Sequence, residues 1–103
     1  LKRLFLFFLL LCLGFAGCAT SDHPVLEYVL AREAFSAAKD VDAARFAPGY
    51  FHKAEENYRR AERLFKEKSY SQASDAFKVA RHFSEKAENA SRVIRQKNGD
   101  EGL

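Results

Sequence analysis

Residues 70–94 read YSQASDAFKVARHFSEKAENASRVI. Tyr70, Ala73, Phe77, Ala80, Ser84, Ala87, Ser91 and Ile94 recur at steps of three or four throughout, the spacing of one face of an α-helix. A second track, Ala76, Phe83 and Ala90, widens that face. Small residues alternate with aromatics along it, which predicts close helix–helix packing with rings filling the gaps between alanine ridges. Ser69, followed by Gln72, suits the start of this helix as a capping box. After Lys97 the periodicity ends, so residues 98–103 are expected to form a disordered tail.

Working back from there, Phe51, Ala54, Tyr58, Ala61 and Phe65 form the same kind of stripe, with charged residues at most positions between. Glu55–Arg59, Glu56–Arg60 and Glu62–Lys66 are i,i+4 pairs in the favourable orientation. Pro48-Gly49 opens this helix and disfavours helical backbone at Ala47. An earlier stripe runs Leu26, Leu30, Ala34, Ala37, Val41 and Ala44. Three helices follow, over about 24–45, 48–67 and 70–96. The fold class expected is all-α, an antiparallel three-helix bundle or hairpin array with coiled-coil-like packing over residues 24–97.

Residues 4–13 read LFLFFLLLCL, apolar without interruption, directly after Lys2 and Arg3. A charged n-region followed by a short apolar h-region is the layout of an export signal. The run is short of the roughly 20 apolar residues that span a bilayer. An uncleaved anchor helix and an ordinary signal cleaved after Ala16 or Ala19 remain as alternatives. The chain has 17 Lys+Arg against 14 Asp+Glu. Loss of Lys2 and Arg3 would leave the rest nearly neutral, with no electrostatic case for nucleic acid as a partner.

Phe15-Ala16-Gly17-Cys18 resembles the lipobox of bacterial lipoproteins, with Phe15 in place of the usual Leu. The resemblance implies that residues 1–17 are a signal peptide cleaved between Gly17 and Cys18. It also implies that Cys18 carries a diacylglycerol thioether and an N-acyl chain, and that residues 18–23 form a lipidated linker. Two acyl chains suffice for stable anchoring. Because Ala19 rather than Asp follows the cysteine, the resemblance places the chain in the outer membrane facing the periplasm. With Cys12 lost in the signal, Cys18 would be the sole thiol, so no intramolecular disulfide is expected.

Two resemblances cover the helical part. Ala54, Tyr58, Ala61, Leu64, Phe65, Tyr70, Ala73, Phe77 and Ala80 are spaced as in the core of a tetratricopeptide-repeat hairpin. Only about one repeat fits, whereas a solenoid needs at least about 3. The second is to small bacterial lipoproteins of the DUF4398 type. It is carried by Ala43-Ala44-Arg45-Phe46-Ala47-Pro48, by Lys53-Ala54-Glu55 and by Ser69-Tyr70-Ser71-Gln72-Ala73, over residues 25–92. Ser69 departs from it, standing where a turn Gly is usual. That family has no assigned activity, so the resemblance implies fold and location.

No pattern of catalytic chemistry emerges. There is no HExxH, P-loop or Gly-rich phosphate loop. His52 precedes Glu55 and Glu56, and His82 precedes Glu85, but no second ligand pair stands at matching spacing, and solvated helix surface accounts for both. Serines 69, 71 and 74 suit capping near a turn. Phe46, Tyr50 and Phe51 suit core filling, with a partner patch as the alternative. The expectation is a non-enzymatic, lipid-anchored envelope protein with no cofactor. Its partners would be the membrane through the anchor, and another envelope protein or a second copy through the helical surface. The alternative is a TPR-like adaptor holding a peptide beside Tyr58, Phe65, Tyr70 and Phe77.

Overall fold

The computed structural model describes residues 1–13 and 24–101. The fold is all-helical, with α1 at Lys2–Leu13, α2 at Val25–Asp40, α3 at Ala43–Phe46, α4 at Pro48–Lys66 and α5 at Tyr70–Glu101. Helix α1 is the apolar run, and its large side chains from Leu4 to Leu11 are exposed. At about 1.5 Å per residue it is far shorter than a bilayer core. No helix among the described residues is long and apolar enough to cross a membrane.

Helices α2 and α4 both pack on α5, through two clusters of buried residues. In one, Tyr28 and Ala31 of α2 meet Ala61 and Leu64 of α4 and Ala73, Ala76 and Phe77 of α5. In the other, Phe35 and Ala38 of α2, with Val41 just after it, meet Phe51 and Ala54 of α4 and Ala87 of α5. A run of rings joins them: Phe51 stacks on Phe35 at 5.3 Å, Phe35 on Tyr58 at 5.3 Å, and Tyr58 meets Phe77 edge-on at 5.9 Å. Tyr28 closes the run, edge-on to Phe77 at 5.4 Å. Such pairs add about 0.5–1.5 kcal/mol each beyond their buried area.

The buried stripe of α5 runs from Ala73 to Ser91, with Tyr70 and Ile94 outside the core. On α4 the last core residue is Leu64, not Phe65, which stays exposed. The larger difference is in α2. The expected stripe of Leu26, Leu30, Ala34 and Ala37 is exposed or half-buried, and the core face is Ala31, Phe35 and Ala38. Both tracks have helical spacing. The buried one offers two alanines that admit a neighbouring backbone and one ring that stacks between Phe51 and Tyr58.

The first helix was expected to continue to about Arg45, but it stops at Asp40. Asp42 takes a left-handed conformation, φ 58°, a region that Asp tolerates better than most residues. Its carbonyl then accepts from the Arg45 and Phe46 amides at 3.0 and 3.1 Å, starting α3. The break sends Val41, Ala43 and Ala47 all into the core, which a straight helix through them would not do. Pro48 is at the start of α4, where its missing N–H costs nothing.

Between α4 and α5 the chain makes a Schellman turn. The Ser69 amide donates to the Leu64 carbonyl at 2.9 Å and the Lys68 amide to Phe65 at 3.0 Å, with Lys68 left-handed at φ 63°. At its far end α5 does not stop at residue 96. It continues through residues 98–101, part of the segment expected to be disordered. Once a long helix is nucleated, each added residue brings one more hydrogen bond, and no Pro stops it. Of the three expected i,i+4 pairs on α4, Glu55–Arg59 closes, at 3.7 Å. Arg81–Glu85 and Arg92–Glu88 close on α5, at 3.0 and 2.9 Å. Exposed pairs of this kind contribute a few tenths of a kcal/mol each.

Candidate functional site

The proposed cleavage and lipidation positions, Gly17 and Cys18, lie outside the described residues, as does the linker after them. The four aromatics expected to line a groove separate into two pairs. Phe77 is fully buried at the centre of the domain, held between the Tyr28 and Tyr58 rings. Tyr58 is half-buried and belongs to both core clusters. Burial, first of all, pushes its phenol up to about 12; Tyr28 and the Glu62 carboxylate add to this, and the Arg32 guanidinium opposes it. Phe65 and Tyr70 form the other pair, edge-on at 5.5 Å beside the α4–α5 turn.

A cleft of about 320 Å³ opens between α2 and α4, lined by Val25, Tyr28, Glu62, Phe65, Lys66 and Phe77. Tyr28 stands over Phe77, so the expected groove is largely filled by the first helix of the domain. What remains of it is apolar, with one carboxylate and one ammonium on the same face of α4. No nucleophile and base converge there. Val25 and Tyr28 were not among the expected site residues. The signal that could have found them is the apolar start of α2, Val25-Leu26-Glu27-Tyr28-Val29-Leu30, which has too few polar residues for a helix covered on one side.

At the other end of the domain a shallower cleft of about 370 Å³ is lined by residues including Phe46, Pro48, Tyr50, Lys53, Ala90 and Ile94. Of the three aromatics noted there, Phe51 is core, Phe46 half-buried and Tyr50 exposed. Cations sit over rings in this region, Lys53 above Phe83 at 5.4 Å and Lys86 above Tyr50 at 5.7 Å. His52 and His82 are both exposed. No group of three His, Cys, Asp or Glu side chains suited to a metal ion occurs among the described residues.

Together these features define a small all-helical domain whose clefts beside Phe65 and beside Phe46 are mostly apolar and carry few ionisable groups. A family model described as a domain of unknown function, DUF4398, matches residues 26–101, and the chain belongs to that family. No curated protein and no solved structure matches the chain.

Proposed function

We propose that this is a lipid-anchored cell-envelope protein whose helical domain is an interaction or structural module without catalytic activity. The observation that carries the reading is the order of features at the start of the chain. Lys2 and Arg3, a short apolar helix, and Ala16-Gly17-Cys18 precede a family domain that begins at residue 26. In this reading residues 1–17 are removed, Cys18 bears the acyl chains, and the protein faces the periplasm from the outer membrane. The mature domain is a three-helix bundle with coiled-coil-like packing, α2 and α5 running one way and α4 returning beside them. The order of residues in the two core clusters supports that arrangement. The partner of its outer surface is another envelope protein or a second copy.

The adaptor reading retains one supporting observation, the apolar cleft beside Phe65. Burial of Phe77 beneath Tyr28 counts against it. Metabolic labelling with a palmitate analogue tests the lipid anchor. The chain is expected to label and its Cys18→Ser variant to lose the label. Equal labelling of the two refutes the reading.

A further inference from the structure

We propose that the first turn and a half of α2, with Phe65 of α4 beside it, docks on the lipid surface that holds the acyl chains. The lipid anchor then also fixes the orientation of the domain. This inference rests on the lipidation of Cys18 and adds a second contact with the same membrane.

Three observations converge on that end of the domain. First, residues 25–30 are apolar at every position except Glu27. The core takes up only the Tyr28 side of this segment. Val25 is left 57 % exposed, Leu26 67 % and Val29 45 %. A helix segment apolar on all sides is one covered on all sides. Second, the surplus is confined to that segment. Further along α2 the outward positions are Arg32, Glu33, Ser36, Lys39 and Asp40, all exposed and polar. An apolar face meant for a partner helix would be expected to run the length of α2. A face that ends after a turn and a half suits a boundary crossed at one end. Third, the segment is the part of the domain nearest in sequence to Cys18. Seven peptide steps separate Cys18 from Val25, so even a fully extended chain holds the two within about 25 Å.

The neighbouring groups suit a lipid–water boundary. Phe65 is 36 % exposed and lines the same cleft as Val25. Lys66 ends α4 and Lys68 follows Glu67 in the turn after it, all three exposed. Long cationic side chains extend to headgroup phosphates while their stems lie on apolar surface. Anchoring by the acyl chains makes this docking intramolecular, so a weak apolar contact is enough to populate it.

The chain has no tryptophan, so one introduced ring reports alone. The mature lipidated chain carrying Leu26→Trp is reconstituted in vesicles of phosphatidylethanolamine and phosphatidylglycerol, with or without bromine on the acyl chains. The same is done with Val93→Trp, at an exposed position near the opposite end of α5. Brominated lipid is expected to quench Leu26→Trp by about twofold or more and to leave Val93→Trp unchanged, as for a ring at the headgroup–acyl boundary. Circular dichroism verifies that both variants melt with the parent. Leu26→Trp left unquenched on a chain that labels with palmitate and floats with vesicles overturns this inference alone. A chain that neither labels nor floats overturns the lipidation reading and this one with it. A blue shift of Leu26→Trp emission that grows with protein concentration in detergent, without bromolipid quenching in vesicles, assigns the face to a second copy and overturns docking on lipid.

Discussion

The hydroxyls of Ser84 and Ser91 are completely buried on α5 and have no hydrogen-bond partner among the described residues. They occupy the core stripe where the neighbouring positions, Ala80 and Ala87, are alanine. Ser84→Ala and Ser91→Ala therefore remove a desolvated polar atom without changing the shape of the backbone. A buried, unsatisfied hydroxyl costs about 1–3 kcal/mol. Alanine is also the better helix former, by about half a kcal/mol. Against this, each Oγ gives up a handful of dispersion contacts of roughly 0.1–0.2 kcal/mol each. The balance favours alanine by about 1 kcal/mol per site. Seven residues of helix separate the two, about 10 Å, so the effects should add to about 2 kcal/mol. For a domain of this size that is a rise in Tm of roughly 8–16 °C. Thermal melting of residues 24–101, followed by circular dichroism, reads the shift. Ser36→Ala, on the exposed side of α2, isolates the propensity contribution and should raise Tm only slightly. A double variant that melts at or below the parent refutes the reasoning. It would mean that the hydroxyls bond in solution to carbonyls of the preceding turn, the usual refuge of a helical serine.

Lys68→Gly relieves a left-handed residue at φ 63° in the Schellman turn and should stabilise the domain by about 0.5–1 kcal/mol in urea melts, net of the added chain entropy. No gain would mean that the left-handed turn is not kept in solution. Phe77→Ala empties the centre of the ring run and should cost about 3–5 kcal/mol, visible as loss of a cooperative transition. A loss under 1 kcal/mol would contradict the packing described. Because the folded state holds Tyr58 protonated up to about 12, above the ordinary tyrosine value of 10.0, the native state binds the extra proton between those values. Stability should therefore fall as pH rises through that window, and Tyr58→Phe should flatten the decline in Tm; an unchanged slope would refute it.

Helical spacing is a local property, so the helical state of α2, α4 and α5 and the central parts of the α4 and α5 stripes were legible from the chain alone, while α3 and the outer stripe positions Phe65, Tyr70 and Ile94 were not. Pro48 marked the start of α4 because proline constrains its own backbone and that of its neighbour whatever surrounds it. The apolar run of residues 4–13 and Ala16-Gly17-Cys18 are likewise linear features, and the proposed lipidation of Cys18 rests on them alone. The break at Asp42 was not legible, since aspartate is common in helices and turns alike. What makes it a turn is the burial of Val41, Ala43 and Ala47 together.

Residues 24–40 drew the same line more sharply. Their sequence determined that α2 is a helix and that it has more apolar surface than one neighbour can cover. It did not determine which track turns inward, because Leu26-Leu30-Ala34-Ala37 and Ala31-Phe35-Ala38 have equally good spacing. Only the tertiary structure decided this, through the fit of Phe35 between Phe51 and Tyr58 and of Ala31 among Ala61, Leu64 and Phe77. Side-chain volumes on three helices have to match at once for that, and no single helix records the result. Leu26, Val25 and Val29, left outside, are the consequence, and they lie in the part of the domain nearest in sequence to Cys18.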